Sequence, residues 1–211
     1  SFSGSAREVA VGELRRLVDV WRVFVAEEGD RHPTDVTERC TRETASMILD
    51  TATEWHREAV GTDRAPGTRD PGTSLAAAEL YDLYLGAFGD RDSPFYGDCL
   101  GPAEDGEAAP SVDAVRYFRA EAYWIAEEWS KCGPAFDEAF LADPGGPYAA
   151  EAAYAAVLCY ARPPNNGHVS SDRLVLPGDG GPGASGRLPG PRELTDDERA
   201  VDAALRRRLC R

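Results

Sequence analysis

Residues 112–160 decide the fold, and they read VDAVRYFRAEAYWIAEEWSKCGPAFDEAFLADPGGPYAAEAAYAAVLCY. Two helix-length segments with regularly spaced apolar residues precede the run Asp143-Pro144-Gly145-Gly146, and a third such segment begins at Pro147. Because proline and glycine in succession end helices, this run marks a boundary between two units. The stretch therefore predicts a stack of short helices.

Small and aromatic residues recur in this stretch at helical spacing. Small residues let two antiparallel helices approach closely, and aromatic rings fill the space between them. The small positions are Ala120, Cys132 and Ala139, and the aromatic positions are Tyr123, Trp129 and Phe136. These residue types pack helices together and carry no chemistry of their own.

The same positions resemble the tetratricopeptide repeat, a helical hairpin of about 34 residues. The segment AFDEAFLADPGGPYAAEAAYAAVLCY, residues 135–160, is similar to the degenerate repeats of bacterial cell-envelope proteins. The resemblance covers about residues 34–160. Its matching positions are Ala120 and Tyr123 on the first helix, Cys132, Phe136 and Ala139 on the second, Pro144 at the exit, and Ala153-Tyr154, which repeats Ala122-Tyr123.

This resemblance implies an all-α, tetratricopeptide-like solenoid of about three helical hairpins over residues 1–160. It further implies a non-catalytic adaptor of a bacterial assembly, with no cofactor, that binds a protein or peptide in a groove. The residues expected to face the partner are Arg116, Arg119 and Trp124. Two arginines in an acidic protein favour an acidic peptide or the C-terminal carboxylate of another protein as the partner.

Three further helices are predicted before this stretch, over residues 6–28, 35–60 and 73–88, because their apolar residues recur at steps of three and four. Residues 61–72, rich in Gly, Pro, Asp and Thr, are predicted as a loop. The apolar stripe expected on the second helix comprises Cys40, Thr44, Met47, Ile48, Ala52, Trp55 and Ala59.

Three polar segments complete the sequence. Residues 90–110 predict an exposed loop, and residues 161–193 a Gly/Pro-rich linker. Residues 194–211 predict an amphipathic helix with acidic residues in its first turn and Arg206 to Arg208 near its end. Because the sequence opens without Met and stops within this predicted helix, we interpret it as a piece of a longer protein.

The net charge of −14, from 37 acidic and 23 basic residues, disfavours nucleic acid and anionic membrane surfaces as partners. No apolar run reaches the roughly 18 residues needed to span a bilayer. Lys131 is the only lysine, and arginine dominates, as expected of a GC-rich bacterial genome. The family resemblance places the protein in the periplasm or cell envelope, with the cytoplasm as the alternative.

Five cysteines, at positions 40, 99, 132, 159 and 210, lack the C-x-x-C spacing of zinc ribbons and redox pairs. No metal is therefore expected. Cys132 and Cys159 are predicted to be small core residues in preference to a disulfide pair. In a periplasmic protein one or two disulfides remain possible, with their connectivity open.

His56 lies between Glu54 and Glu58 near the end of a predicted helix. The spacing matches neither Glu-x-x-His nor His-Glu-x-x-His, so we predict a surface or hydrogen-bonded histidine. Two alternatives to the adaptor stay open. One is a helical-bundle enzyme with a pocket at His56, and the other is a structural oligomer that associates through its repeat faces.

Overall fold

The computed structural model of the protein describes residues 2–62, 65–93, 95–97 and 110–162. Over these residues the protein is mostly α-helical, which confirms the all-α class. The predicted terminal helix, residues 194–211, lies outside the described residues, as does the predicted linker apart from its first two positions.

Six α-helices follow one another in the described residues, and their bounds match the predicted segments closely. The first predicted helix differs most, because its last turn is a π-helical turn at Phe24–Glu28 followed by a 3-10 turn at Gly29–Arg31. The helices are α1 (Phe2–Val23), α2 (Thr34–Val60), α3 (Pro71–Phe88), α4 (Val112–Ile125), α5 (Trp129–Ala142) and α6 (Ala149–Tyr160).

Capping side chains set the starts of α3 and α4. The Asp70 carboxylate accepts a hydrogen bond from the Thr73 backbone amide at 2.8 Å, with Pro71 in the first turn of α3. The Ser111 hydroxyl accepts one from the Ala114 amide at 3.1 Å. Each cap satisfies an amide that the helix itself leaves without a partner, which stabilises a helix by about 1 kcal/mol.

From α2 to α6, helices that are consecutive in sequence pack against each other, while α1 lies against α3 and α2. The predicted stripe of α2 is partly wrong, because Met47 is 52% exposed. The buried face contains small and polar residues that hydrophobicity alone does not mark. It comprises Thr41, Thr44, Ala45, Ile48, Leu49, Ala52, His56, Ala59 and Val60.

Two glycines shape the connection between α2 and α3. Strands β1 (Gly61–Thr62) and β2 (Ala65–Pro66) pair antiparallel within the segment that the sequence predicts as a loop. Gly61 has φ of 91°, a conformation that other residues rarely adopt. A side chain at Gly67 would overlap the Ala59 carbonyl oxygen. The backbone can therefore fold back on the end of α2 only with glycine at both positions.

The segment predicted as an exposed loop, residues 90–110, is described only at 90–93, 95–97 and 110. Within it Phe95 is half-buried and packs against the core. Its ring lies edge-on to Trp21, with centroids 5.4 Å apart. The prediction of full exposure is therefore wrong at Phe95, where an aromatic ring within a polar segment anchors the backbone to α1.

A disulfide joins Cys132 on α5 to Cys159 on α6, and both residues are buried. The preference for two separate core thiols is therefore wrong, although the predicted burial is correct. The two helices run antiparallel, so the start of α5 lies beside the end of α6. Closing a loop of 27 residues stabilises the folded protein by about 3 to 4 kcal/mol in the loop-entropy description.

Candidate functional site

The predicted partner-binding residues Arg116 and Arg119 lie one turn apart on α4, with side chains only 13% and 11% exposed. The Arg116 guanidinium donates hydrogen bonds to Asp113 Oδ1 at 2.8 Å and to the Gly89 carbonyl at 2.6 Å. Arg119 donates to Glu138 Oε2 at 2.6 Å. These bonds connect α4 to the end of α3 and to α5.

Both guanidinium groups thus meet carboxylates of the same molecule. Asp82 on α3 accepts hydrogen bonds from Arg119, at 3.3 Å, and from the Tyr123 hydroxyl. An acidic ligand at this position would have to displace Asp82 or Glu138 from Arg119. The arginines therefore hold helices together in this geometry, and their role toward a partner stays a prediction.

Trp124, the third predicted residue, lies at the C-terminal end of α4 and is half-buried. Its ring packs edge-on against Trp129, with centroids 5.4 Å apart. The guanidinium of Arg162 lies 5.2 Å from the centroid of the Trp129 ring. The structure thus joins the two arginines in one network and places Trp124 in a separate aromatic group.

His56 is fully buried between α2, α3 and α4, so a surface position is wrong and the hydrogen-bonded alternative is correct. Its Nδ1 is hydrogen-bonded to Tyr81 Oη at 3.3 Å, and its Nε2 lies 3.9 Å from Glu121 Oε2. Burial, with the nearby positive charge of Arg57, lowers the pKa of His56 to about 3. The ring is therefore neutral at pH 7.

Tyr117 links these buried side chains to α6, the last of the described helices. Its hydroxyl donates to Glu151 Oε2 on α6 at 3.1 Å, and its ring stacks on Tyr148 at 4.6 Å. Burial raises the pKa of Tyr117 far above its ordinary value, and the nearby carboxylates of Glu121 and Glu151 add to the shift. The phenol therefore remains a hydrogen-bond donor across the physiological pH range.

The buried cluster, defined as His56, Tyr81, Tyr117 and Glu121, joins α2, α3 and α4 and reaches α6 through Glu151. Its members are almost fully shielded from solvent, with exposures of 1% or less. Such a shielded set of hydrogen-bonding groups fixes how helices pack. What this geometry does directly is hold four helices in register.

The described residues contain no group of three or more His, Cys, Asp or Glu side chains arranged to hold a metal ion. His56 and Glu121 form only a pair.

The feature that the sequence prediction missed is the outer face of α6. Of the twelve residues of α6, only Glu151 is charged. One side of the helix packs into the core through Ala152, Ala155 and Cys159. The opposite side is exposed and wholly apolar, and we call it the α6 face. It comprises Ala150, Tyr154, Val157 and the adjoining Ala161.

The spacing of the α6 face is that of a helix-packing stripe, with steps of four, three and four residues. A helix that is apolar all round is ordinarily covered on all sides. Here α5 covers one side, and Tyr154 and Val157 lie in solvent on the other. The signal that could have found this face is the near absence of charge in residues 149–160.

An open groove of about 650 Å³ runs along α5 next to this helix. Leu141 and Tyr160 are its large exposed apolar residues, and Tyr160 donates a hydrogen bond to Asp137 at 2.5 Å. Because Tyr160 lies one turn from Val157, the groove adjoins the α6 face. The groove is lined by Arg91, Arg116, Pro134, Asp137, Glu138, Leu141, Ala142 and Tyr160.

Comparisons with protein-family models, with curated proteins and with solved structures found no match to this sequence. Among the described helices none is both long and apolar enough to cross a bilayer.

Proposed function

We propose that this protein is a non-catalytic protein-interaction module, and that the α6 face is its binding surface. The observation that carries the proposal is the exposure of Tyr154 and Val157 on a helix whose other side is buried. The partner that fits is an amphipathic helix, because an apolar stripe on one helix is covered by the apolar stripe of another.

The energetics favour binding at this face over binding at the arginine network. Burying a Val or Leu side chain fully contributes about 1.5 to 3 kcal/mol, and an exposed tyrosine is the residue type that dominates many interfaces. Tyr154 and Val157 are available for this without breaking any contact that α6 makes with the core. Arg116 and Arg119 would first have to leave their carboxylates.

The architecture proposed for this module is a tetratricopeptide-like solenoid of helical hairpins. In support of it, helices that are consecutive in sequence pack against each other from α2 to α6. In a solenoid every internal repeat covers the apolar face of its neighbour, whereas a terminal repeat has a polar outer face. The apolar α6 face therefore has the composition of a surface that another helix covers.

We place the module in the periplasm or cell envelope of a bacterium, as an adaptor of an envelope-associated assembly. The Cys132–Cys159 disulfide supports this proposal, since disulfides form and persist in oxidising compartments and are rare in the bacterial cytosol. Fractionation of the native source, followed by thiol labelling of the intact protein, tests the compartment. A reduced protein in the soluble cytosolic fraction would contradict it.

The test of the binding surface is affinity capture from envelope and soluble fractions with three forms of the protein. These are the unchanged protein, Val157→Asp on the α6 face and Val20→Asp on the outer side of α1. The two valines are exposed to nearly the same extent, 64% and 66%, so the second variant is a matched control.

Proteins that the unchanged form and Val20→Asp both retain, and that Val157→Asp loses, are the expected result. Equal capture by all three forms would contradict a binding role for the α6 face. Sedimentation of the same three forms tests the alternative of a self-associating subunit. If Val157→Asp dissociates a dimer that Val20→Asp leaves intact, the α6 face binds a second copy of the protein.

A further inference from the structure

We infer that the helix that covers the α6 face is α6 of a second copy of this protein, packed antiparallel about a two-fold axis at the middle of the stripe. This inference rests on the proposed role of the α6 face as a binding surface, and it names the partner of that surface. The order of small and large side chains along the stripe carries it, together with the charge of the protein.

The spacing of the exposed stripe is symmetric along the helix. From Ala150 to Ala161 the steps are four, three and four residues, so the stripe has the same spacing in either direction. In a two-fold contact, residue i touches residue j of the second copy while j touches i. Two antiparallel copies of α6 therefore place Tyr154 of each copy against Val157 of the other.

The sizes of the side chains also fit this register. Ala150 of each copy lies beside Ala161 of the other, and small residues at both ends let the helix axes approach closely. The two contacts between Tyr154 and Val157 fill the space in the middle. A parallel pair would instead place identical side chains against each other and align the two helix dipoles, whereas antiparallel dipoles offset each other. Size and dipole thus favour the antiparallel pair.

The charge of the protein favours this face for contact between two copies. With a net charge of −14, two copies repel each other over most of their surfaces. The α6 face itself has no charged side chain, and Glu151, the one charged residue of α6, accepts a hydrogen bond from Tyr117 of its own molecule. The contact therefore buries no additional charge. Added salt screens the repulsion between the remaining surfaces, so it should strengthen the association.

The exposed area sets the strength of the contact. Tyr154 is 45% exposed and Val157 is 64% exposed, and the two alanines of the stripe are exposed as well. In two copies these side chains and their flanks bury roughly 700 to 1,000 Å², at the low end of specific interfaces. We therefore expect a dissociation constant on the order of 0.1 mM. The α6 face is then open in the dilute protein and covered where many copies gather.

Site-specific cross-linking of the full-length protein tests the register. The three cysteines outside the Cys132–Cys159 disulfide are first replaced by alanine. Copies with Ala150→Cys are mixed with copies that carry Ala161→Cys, and a short bismaleimide is added. The mixture should give a covalent dimer. Each variant alone should give at least about tenfold less, because the two copies of position 150 lie about 16 Å apart along an antiparallel pair.

Sedimentation equilibrium over about 0.01 to 1 mM protein measures the strength of the dimer. Val157→Asp should weaken the association at least about tenfold, because it places two like charges in an apolar contact. Val20→Asp, at an equally exposed position on α1, is the control and should leave the dissociation constant unchanged. Raising the salt concentration should lower the dissociation constant of the unchanged protein.

Three results would overturn the inference. The first is a monomer at every protein concentration, which would leave the face to another occupant. The second is a dimer in which Ala150→Cys copies cross-link to one another as readily as to Ala161→Cys copies. The third is a dimer that added salt dissociates, since ion pairs would then hold it together.

This inference and the proposed function can fail separately. Capture of other proteins that depends on Val157, without a dimer, rejects the inference and leaves the proposed function standing. A dimer with the expected cross-links, without capture of other proteins, supports the inference and limits the α6 face to a second copy.

Discussion

The helices α2 to α4 and the hairpin of α5 and α6 distribute polar and apolar side chains in opposite ways. The first group buries His56 and Glu121 in its centre, with Nε2 and Oε2 separated by 3.9 Å. The hairpin is tied by a disulfide and presents Tyr154 and Val157 to solvent. Thus the first region has titratable side chains in its interior, while the second has apolar side chains on its surface.

This difference shows where a function can lie. In the first region, His56 on α2 and Tyr81 on α3 are hydrogen-bonded to each other. The second region leaves apolar area exposed that burial would stabilise. The buried cluster joins neighbouring helices, and the exposed hairpin is the part that lacks a covering element among the described residues.

The largest expected effect is on the hairpin. Replacing both Cys132 and Cys159 with alanine removes the cross-link and should lower the free energy of unfolding by about 3 to 4 kcal/mol. Urea unfolding measures this change. Cys40→Ala, which removes the free thiol on α2, is the control and should cost much less. Equal losses would show that the disulfide does not stabilise the hairpin.

The next effect tests the buried cluster through pH. The pKa of His56 in the folded protein, about 3, lies below its ordinary value of 6.5, so the unfolded state binds a proton that the folded state does not. The contribution is fully present above pH 6.5 and is lost as pH falls toward 3. Between pH 7 and 5 His56 should account for about 2 kcal/mol of lost stability.

Urea unfolding at pH 7 and at pH 5, compared between the unchanged protein and His56→Gln, isolates this contribution. The variant removes the titrating ring, so its loss of stability between the two pH values should be smaller by about 2 kcal/mol. His32→Gln, at a solvent-exposed position after α1, is the matched control. An identical pH dependence for all three proteins would mean that His56 is not held neutral.

A smaller effect concerns α4, the helix of the first region that packs against the hairpin. Ser111 caps its first turn, and α4 carries both Glu121 and Tyr117. Ser111→Ala should cost about 1 kcal/mol, because the Ala114 amide loses its acceptor. Ser130→Ala, at an exposed position in α5, should change stability by less than about 0.5 kcal/mol. Thermal unfolding compares the two variants, and equal effects would show that the Ser111 cap does not stabilise α4.

The smallest expected effect is at the edge of the groove. A methyl group at Gly133 would overlap the ring of Tyr160, which must then move away from Asp137. Gly133→Ala should therefore change stability by no more than about 1 kcal/mol, since the ring lies at the surface and can turn. Gly12→Ala, where the space is open on α1, should instead stabilise by about 0.5 to 1 kcal/mol. Urea unfolding measures the free energy of unfolding of both variants. A large loss of stability in Gly133→Ala would show that the Tyr160 ring is fixed in place.

The helices could be predicted from the sequence because their signals are local. Periodic apolar residues, the loop glycines before α3 and the stop after Ala142 place the helices to within a few residues. The correct face of α2 could not be predicted in full, since it is defined by Thr41, Ala45 and His56 packing on neighbouring helices. Tertiary contacts select that face, and hydrophobicity does not mark it.

The candidate site was harder to predict than the fold. Arg116 and Arg119 are notable in an acidic protein, but their carboxylate partners Asp82 and Glu138 become neighbours only when the helices pack. The disulfide is likewise a long-range feature, set by the antiparallel pairing of α5 and α6. The α6 face does have a local signal in the sequence, the single charge in twelve residues. The same signal is typical of a helix that is buried on all sides, so it does not show that one side is exposed.

The most direct test of a binding role for the α6 face is a paired comparison of stability and capture for His56→Gln and Val157→Asp. Both are measured at pH 7 and at a temperature where each variant is folded. We expect His56→Gln to lower the free energy of unfolding and to keep the captured proteins, while Val157→Asp keeps the stability and loses them. Loss of capture in His56→Gln with full capture in Val157→Asp would contradict binding at the α6 face.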